Sequence, residues 1–582
     1  KPETAMEPLT LSRFEEALGP DENRKDAELK EATRMVREVF GNDIALSSSF
    51  ASSKELKATR ENPGMDFKSL DEFYVRVEKF SPVQEALNQA IHRMCASIRL
   101  FSEKTDTPLY KLRKYLIVLE NPSFLDPEYH PEFQKLCEGI SKLPSSLQDI
   151  LVKWFSKYTS RRMEELIGRT QQYITVKWYT GRQIDDLHHG AFLLGLLYRA
   201  NEPWRPHANH EYKEQKGRRG GLHRLLMRNR EKKEGSSSRS EDVKESNPPK
   251  VVISNNSNQE GRHQPLVDPS MFNNDAVNTD LNVKADYKRW IENKTFSFCK
   301  YNWILDASSK RDILQLDARY QMGIHFRDAY LQRLYTGLMS APYLILKVRR
   351  NNLIRDSIVQ LQNARLENMQ DDDDEENNMY FKKPLKIKFE GEEGVDEGGV
   401  QKEFFQLVTG QLFDPKYGMF TYDEASRACW FNRNSVSSDE EYELIGIILG
   451  LAIYNGVILD LRFPMYVYKK LMGFDTTMAD MQEVDPEMAK GFEKLLKFPG
   501  DVENTFCRNF SVSYEVFGAE KTVELKKGGA KIPLNKENRE EYVNLYVKWL
   551  LHDSISRQFN AFKKGFMKVC GGAAFRLFRP EE

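Results

Sequence analysis

The 582-residue sequence lacks most signatures of a self-contained active site. Its six cysteines (Cys95, Cys137, Cys299, Cys429, Cys507, Cys570) are scattered, with no CxxC pair. That usage excludes a disulfide framework and a zinc-finger cage, and it fits a reducing compartment. There is no GxxxxGK(S/T), HExxH or GxSxG motif and no EF-hand loop, so those nucleotide, zinc, esterase and calcium chemistries are absent. No excess of either charge exists: 86 Lys+Arg meet 87 Asp+Glu, leaving −1. No global field therefore draws the chain to nucleic acid or a membrane. Long apolar runs are missing too. The longest mainly apolar stretch, Leu444 to Tyr454, covers 11 residues, whereas a spanning helix needs about 20. No signal peptide opens the chain. Because the first residue is Lys1 and not Met, the true N-terminus is expected further upstream.

What is present suffices for large cores: 40% of residues are hydrophobic and 11% aromatic. The composition predicts a soluble intracellular protein, and the length predicts roughly four domain-sized units. Residues 1–65 are polar, weakly periodic and interrupted by Pro2, Pro8, Pro20 and Pro63, so this segment is expected to be poorly ordered, with room for one short helix over Ala32 to Phe40. Residues 66–204 read as a helical region. Ser81 to Gln84 (SPVQ) has the form of a capping box with proline at the first helical position. Leu87, Ala90, Ile91, Met94 and Ile98 follow at helical spacing, as do Leu147, Ile150, Leu151, Trp154, Phe155 and Tyr158. Such stripes exist to be buried against other helices.

From residue 205 the composition shifts. Residues 205–250 hold 13 Lys+Arg against 7 Asp+Glu, with Tyr212 the one aromatic. The stretch 205–268 is expected to be a basic flexible linker, because it cannot bury enough apolar surface to offset its ordering entropy. Read functionally, it would be a nuclear-localisation or nucleic-acid patch. The absence of stacking aromatics argues against nucleic acid. Residues 371–376 form an acidic surface loop on the same logic.

Beyond 269 the chain is globular again, with Leu385 to Phe389 (LKIKF) alternating as a half-buried strand should. A glycine-dense acidic turn, Gly391 to Gly399, leads into a helix from Val400. Its carboxylates would repel phosphate; the glycines permit a tight strand-to-helix turn. His188 and His189 are neighbours that do not share a helix face, which argues against a shared metal. By residue chemistry alone the chain is a large helical protein with an interaction role.

One ordered series of motifs is more specific. Phe389 to Phe405 (FEGEEGVDEGGVQKEFF) resembles the opening signature of HECT-type ubiquitin ligases. Gly418 to Tyr422, Ile445 to Asn455, Phe463-Pro464, Tyr468 to Gly473, Lys531 to Pro533, Glu537 to Arg539, Tyr542 to Tyr546, Gln558 to Phe566 and Leu577 to Glu582 continue the resemblance in order. Upstream, Leu116 to Leu119, Asn121-Pro122, Ile140 to Pro144 and Val152 to Tyr158 are similar to the subfamily of the papillomavirus-oncoprotein-associated (Angelman-syndrome) ligase.

The resemblance implies a mainly α fold: a helical N-terminal array, a helical lead-in over 269–340, and the mostly helical, minor-β larger lobe of a HECT module over 341–582. A conjugating-enzyme-binding subdomain would occupy about 474–546, with a hydrophobic groove of Met488, Phe492, Phe506, Tyr542 and Tyr546 for a protruding aromatic side chain. Positions 488 and 492, like 542 and 546, are four apart, so each pair can share a helix face. Arg508 and Phe492 depart from the aliphatic residues that related ligases carry there. The implied partners are a ubiquitin-conjugating enzyme, ubiquitin and protein substrates, without a membrane, metal or small-molecule cofactor. The implied fate of substrates is proteasomal degradation, in cytoplasm and nucleus. The family's acceptor cysteine sits in a smaller C-terminal lobe, expected to lie beyond Glu582, so no catalytic residue is assigned. Cys570, within an aromatic helix motif, reads as a core residue. The competing reading is a non-catalytic helical scaffold that binds conjugating enzyme or substrate.

Overall fold

Apolar stripes become the buried faces of helices throughout the computed structural model, which describes residues 7–18, 29–52, 57–100, 103–181, 187–201, 265–293, 295–336, 342–367, 380–392, 398–423, 428–474, 476 and 478–582. The chain divides into two units, one of Lys1–Arg205 with Asn258–Ser309, the other of Pro206–Ser257 with Lys310–Glu582.

The described part of the first unit comprises α1 (Leu11–Leu18), α2 (Leu29–Phe40), α3 (Asp43–Ser48), α4 (Phe67–Glu78), α5 (Ser81–Leu100), α6 (Arg113–Leu119), α7 (His130–Ser141), α8 (Ser145–Phe155), α9 (Ser160–Thr180), α10 (Leu187–Asn201), α11 (Asp275–Asp280) and α12 (Val283–Glu292). Both sequence stripes, on α5 and on α8 with Tyr158, are buried.

Three expectations need correction. Residues 1–65 are not poorly ordered where described: Leu9, Phe14, Phe40 and Phe50 are buried. The rings of Phe14, Phe40 and Phe50 all meet Phe73 of α4, at 4.8, 5.8 and 5.3 Å. Local polarity hid this, because the partner that makes these helices pay their ordering entropy lies downstream. Second, Ser81 is already helical and does not stand as the N-cap: Val83 N and Gln84 N donate to Phe80 O (2.9 and 3.0 Å), and the Gln84 amide donates to Asn88 Oδ1 (3.1 Å) and Ser123 Oγ (3.0 Å). A complete capping box forms instead at Ser438 and Glu441. Third, the stretch 269–340 is divided. Residues up to Ser309 belong to the first unit. There Val267 exchanges two hydrogen bonds with the Asn201 side chain (2.9 and 3.0 Å), and Asn274 Nδ2 donates to Gln171 Oε1 (2.7 Å). The basic linker through residue 264 and the acidic patch Asp371–Glu376 lie outside the described residues.

The second unit takes up most of α13 (Ala307–Thr336) and continues with β1 (Leu344–Val348), α14 (Leu353–Glu367), β2 (Leu385–Phe389), α15 (Gly399–Leu412), β3 (Phe420–Asp423), β4 (Ala428–Phe431), α16 (Asp439–Tyr454), α17 (Met465–Met472), α18 (Met478–Val484), α19 (Pro486–Lys497), α20 (Val502–Phe506), β5 (Ser511–Val516), β6 (Ala519–Glu524), α21 (Arg539–Leu551) and α22 (Ser556–Cys570). β1 and β2 pair in parallel, Leu344 opposite Leu385, with α14 in the connection; β3–β4 and β5–β6 are antiparallel. On β2 burial alternates as LKIKF requires. Gly398, at φ +94, caps α15 in a left-handed conformation that glycine adopts without Cβ strain.

The unit is built around α16 and α22. α16 is buried nearly all round, so it behaves as a core helix and not an amphipathic one. The two backbones approach closely because glycines face across: a Cβ on Gly565 would collide with Glu443 O, and one on Gly446 with Phe562 O. Glu443 itself, nearly buried, is neutralised by Lys568 at 2.5 Å and Lys564 at 3.4 Å from α22. The fold is thus mainly α with minor β, as expected.

Candidate functional site

Between α17 and α22 the chain makes an excursion. It leaves through Gly473 (φ +81), forms α18 to α21 and the β5–β6 hairpin, and returns at Leu551 and His552. Within it, α19 starts where sequence chemistry says it should: Asp485 is the N-cap, accepting from Met488 N at 2.9 Å, and Pro486 is the first helical residue. Arg539 opens α21 and donates from Nη1 to Phe498 O (2.7 Å) and Leu495 O (3.3 Å), fastening the end of α19 to the start of α21.

That pairing brings the i,i+4 pairs of the two helices together. Phe492 stands edge-on to Tyr546, centroids 5.0 Å apart, and to Tyr542 at 6.2 Å; the two tyrosines are 6.0 Å apart. Phe492 and Tyr542 are 5% and 4% exposed, so they form the floor of the cluster. Tyr546 and Met488 are half-buried and present the accessible surface. Phe506, also half-buried, makes its ring contact with Phe498 at 5.4 Å instead of with the tyrosines. Of the five expected groove residues, three share one ring cluster, Met488 lies one turn from Phe492, and Phe506 ends α20 beside Phe498.

Burial raises the phenol pKa of both tyrosines. For Tyr542 the Tyr546 phenol adds to the rise and Arg508 opposes it. For Tyr546 the opposing charges are Arg433 and Arg508. The exposed Arg508 is thus electrostatically part of the site, while its carbonyl accepts from Leu534 N at 2.9 Å.

Residues that sequence reading passed over extend the cluster. Trp549 lies 5.7 Å from Tyr546 and 5.4 Å from Tyr514 of β5, and Phe510 lies 5.4 Å from Tyr542. The series 542, 546, 549 has helical spacing and would have found Trp549. Arg433, over Trp549 at 5.3 Å and Tyr514 at 5.8 Å, comes from a distant loop and leaves no such signal.

The cysteines divide sharply. Cys95, Cys137, Cys299, Cys429 and Cys570 are buried, and burial raises the pKa of each, that of Cys570 to about 12. Cys507 is exposed, beside Phe506, with Sγ donating to Asn504 O at 3.3 Å. His188 and His189 take separate partners, Tyr301 and Ser141. Among the described residues no group of three or more His, Cys, Asp or Glu is placed to hold a metal ion, and no helix is long and apolar enough to cross a membrane. In the turn after β2, Glu392 pairs with Arg350 (2.5 Å), which also binds Glu403 (2.7 Å) and covers the Phe389 ring. Residues 393–397 lie outside the described residues.

The second unit is thus mainly helical, with a cluster of aromatic rings that is buried at Phe492 and Tyr542 and half-exposed at Tyr546. Residues 406–582 match the family profile described as HECT-domain (ubiquitin-transferase). The chain is 38% identical over 324 residues to a human protein named probable E3 ubiquitin-protein ligase HERC4, covering 52% of this chain and 30% of that protein. A Schizosaccharomyces pombe protein named probable E3 ubiquitin-protein ligase mug30 is 38% identical over 54% of this chain and 38% of its own length. Mouse probable E3 ubiquitin-protein ligase HECTD2 is 29% identical over 100% of this chain and 69% of its own length. The chain thus spans about a third of the first two relatives and about two thirds of the third.

Proposed function

We propose that this chain docks a ubiquitin-charged conjugating enzyme for a HECT-type ubiquitin-protein ligase. The groove of Met488, Phe492, Phe506, Tyr542 and Tyr546 receives an aromatic side chain from that enzyme. The observation that carries the reading is the cluster itself: two buried rings support a half-exposed Tyr546 and Met488. A large amphipathic ring beside an adaptable thioether suits a transient interface.

In this reading the acceptor thiol is carried by a C-terminal lobe outside these residues. The burial of five cysteines supports that assignment, since a thiol held protonated is a poor nucleophile. The sixth, Cys507, is exposed and follows Phe506, whose ring meets Phe498. The acceptor thiolate attacks the thioester carbonyl and the conjugating enzyme's thiolate leaves. A substrate lysine amine then attacks the new thioester, an isopeptide bond forms, and the acceptor thiolate is released. The docking lobe contributes proximity. Matches at Leu116 to Leu119, Ile140 to Pro144 and Val152 to Tyr158 support placement beside the Angelman-syndrome ligase. Proteasomal substrates and action in cytoplasm and nucleus belong to the same proposal.

The test is a titration of the chain with a panel of purified conjugating enzymes. Saturable binding that Tyr546→Ala weakens supports the reading. A chain that binds none of them, or binds them equally well without Tyr546, refutes it and leaves a helical scaffold for other proteins.

A further inference from the structure

We propose that Arg433 is a positioning residue that clamps the groove-bearing excursion to the α16–α22 scaffold and so sets the direction in which a docked conjugating enzyme points. The proposal rests on the docking function above and goes beyond it, because Arg433 is not one of the five groove residues and reaches them through Trp549 and Tyr514.

The loop that carries Arg433 is fixed from below. Asn432 N donates to Met419 O (3.0 Å) and Asn432 Nδ2 to Gly418 O (2.8 Å). From α22, Arg557 donates to Ser437 O (3.0 Å), Ser435 O (3.2 Å) and Asp439 Oδ1 (2.7 Å), while Gln558 Nε2 donates to Asn432 O (3.1 Å). On this anchored platform the Arg433 guanidinium lies over Trp549 of α21 and Tyr514 of β5, and Asn434 Nδ2 donates to Glu515 O (3.0 Å).

Further polar ties of the excursion lie near its two chain crossings. On the outgoing side, Met465 N donates to Glu483 Oε2 and Lys469 Nζ to Asp480 Oδ1, both at 2.6 Å. On the returning side, Lys470 Nζ donates to Leu551 O at 3.1 Å. Ties at two crossings leave one soft rotation, about the line joining them. Arg433 and Asn434 add a third grip, on β5 and α21, and oppose that rotation. The aromatic chain Trp549, Tyr546, Phe492 then carries the grip into the groove floor.

A guanidinium over two rings is held by the ring quadrupoles, and a Lys ammonium keeps part of that attraction while an alanine keeps none. The test uses Arg433→Ala and Arg433→Lys, with Tyr546→Ala as the groove control, and a conjugating enzyme chosen from a panel because it binds the wild-type chain. In the full-length protein, Arg433→Ala is expected to leave Kd within about two-fold of wild type, as a site outside the interface should. Discharge of ubiquitin from the saturating charged enzyme is expected to slow by about ten-fold or more, because misdirection costs rate and not affinity. Arg433→Lys is expected to recover most of that loss. Amide hydrogen exchange over 511–524 rises in the alanine variant and falls back in the lysine variant. Unchanged exchange and discharge in Arg433→Ala overturn the clamp. So does a loss of affinity matching that of Tyr546→Ala, which would make Arg433 part of the groove. If the wild-type chain binds no conjugating enzyme, the docking function fails, yet the exchange comparison still decides whether the clamp exists.

Discussion

Phe492 and Tyr546 sit 54 positions apart in sequence, and their rings meet edge-to-face at 5.0 Å. One is core and the other half-open, so the same contact both folds the excursion and shapes the surface it offers. Truncating the two has different consequences. Phe492→Ala removes a buried ring and is expected to destabilise the second unit by about 3–5 kcal/mol. Tyr546→Ala is expected to cost about 1 kcal/mol, since much of its area already faces water. Urea unfolding of both variants checks the difference; equal losses would show that Tyr546 is as deeply embedded as Phe492.

The contact between α16 and α22 depends on missing side chains. Gly450→Ala would set a Cβ 2.8 Å from Val569 Cβ, an atom fixed to its backbone, so the helices must part by a small shift. Gly565→Ala would drive one into the Glu443 carbonyl, which cannot move without moving the helix. Gly565→Ala is expected to cost about 3 kcal/mol or more, and Gly450→Ala about 1–2 kcal/mol. A thermal shift that ranks them the other way would contradict this packing.

Thiol chemistry separates the cysteines. Under native conditions one equivalent, Cys507, is expected to react rapidly with a small disulfide reagent, and the five buried thiols only after unfolding. Peptide mapping of the labelled site gives the answer. Fast labelling of Cys570 would overturn the core assignment, since burial holds its pKa near 12.

Lys470 gives the second unit a pH signature. Burial pulls its ammonium from 10.5 down to about 8, with Asp553 opposing and Lys563 adding to the fall. The unfolded chain therefore holds this proton where the folded chain has released it, and stability rises with pH above about 8. Below the folded value the full penalty of the buried charge applies. Because the side chain is only half-buried by area, the expected gain between about pH 8 and 9.5 is on the order of 1 kcal/mol. Lys470→Met should flatten that rise in urea-unfolding curves collected across the interval. A slope unchanged by the substitution would assign it to other groups.

How much of this was readable beforehand follows from distance along the chain. The stripes of α5 and α8 and the alternation of Leu385–Phe389 are local patterns, and the structure buries them as their spacing requires. Of the helices before residue 65 only α2 is marked, through Ala32 to Phe40; the others are hidden because their burial depends on Phe73. The Ser81–Gln84 motif misled because the helix takes in Ser81 and its first backbone bonds run to Phe80 O. Ser438 and Glu441, the same motif, went unnoticed although its spacing was present. In the site, the pairs 488/492 and 542/546 were legible as helix faces. That the faces meet depends on Arg539 reaching Phe498 O, which no single-sequence pattern encodes. Arg433 was invisible for the same reason.

The account turns on whether Tyr546 touches the aromatic side chain of a docked conjugating enzyme. A double-mutant cycle between Tyr546→Ala and alanine at that enzyme position measures this contact alone, by titration calorimetry on the four pairs. Each single change is expected to weaken binding by about 1–2 kcal/mol, and the double change by clearly less than their sum, leaving a coupling of about 1 kcal/mol. Strictly additive losses, or no loss from either change, would contradict the groove.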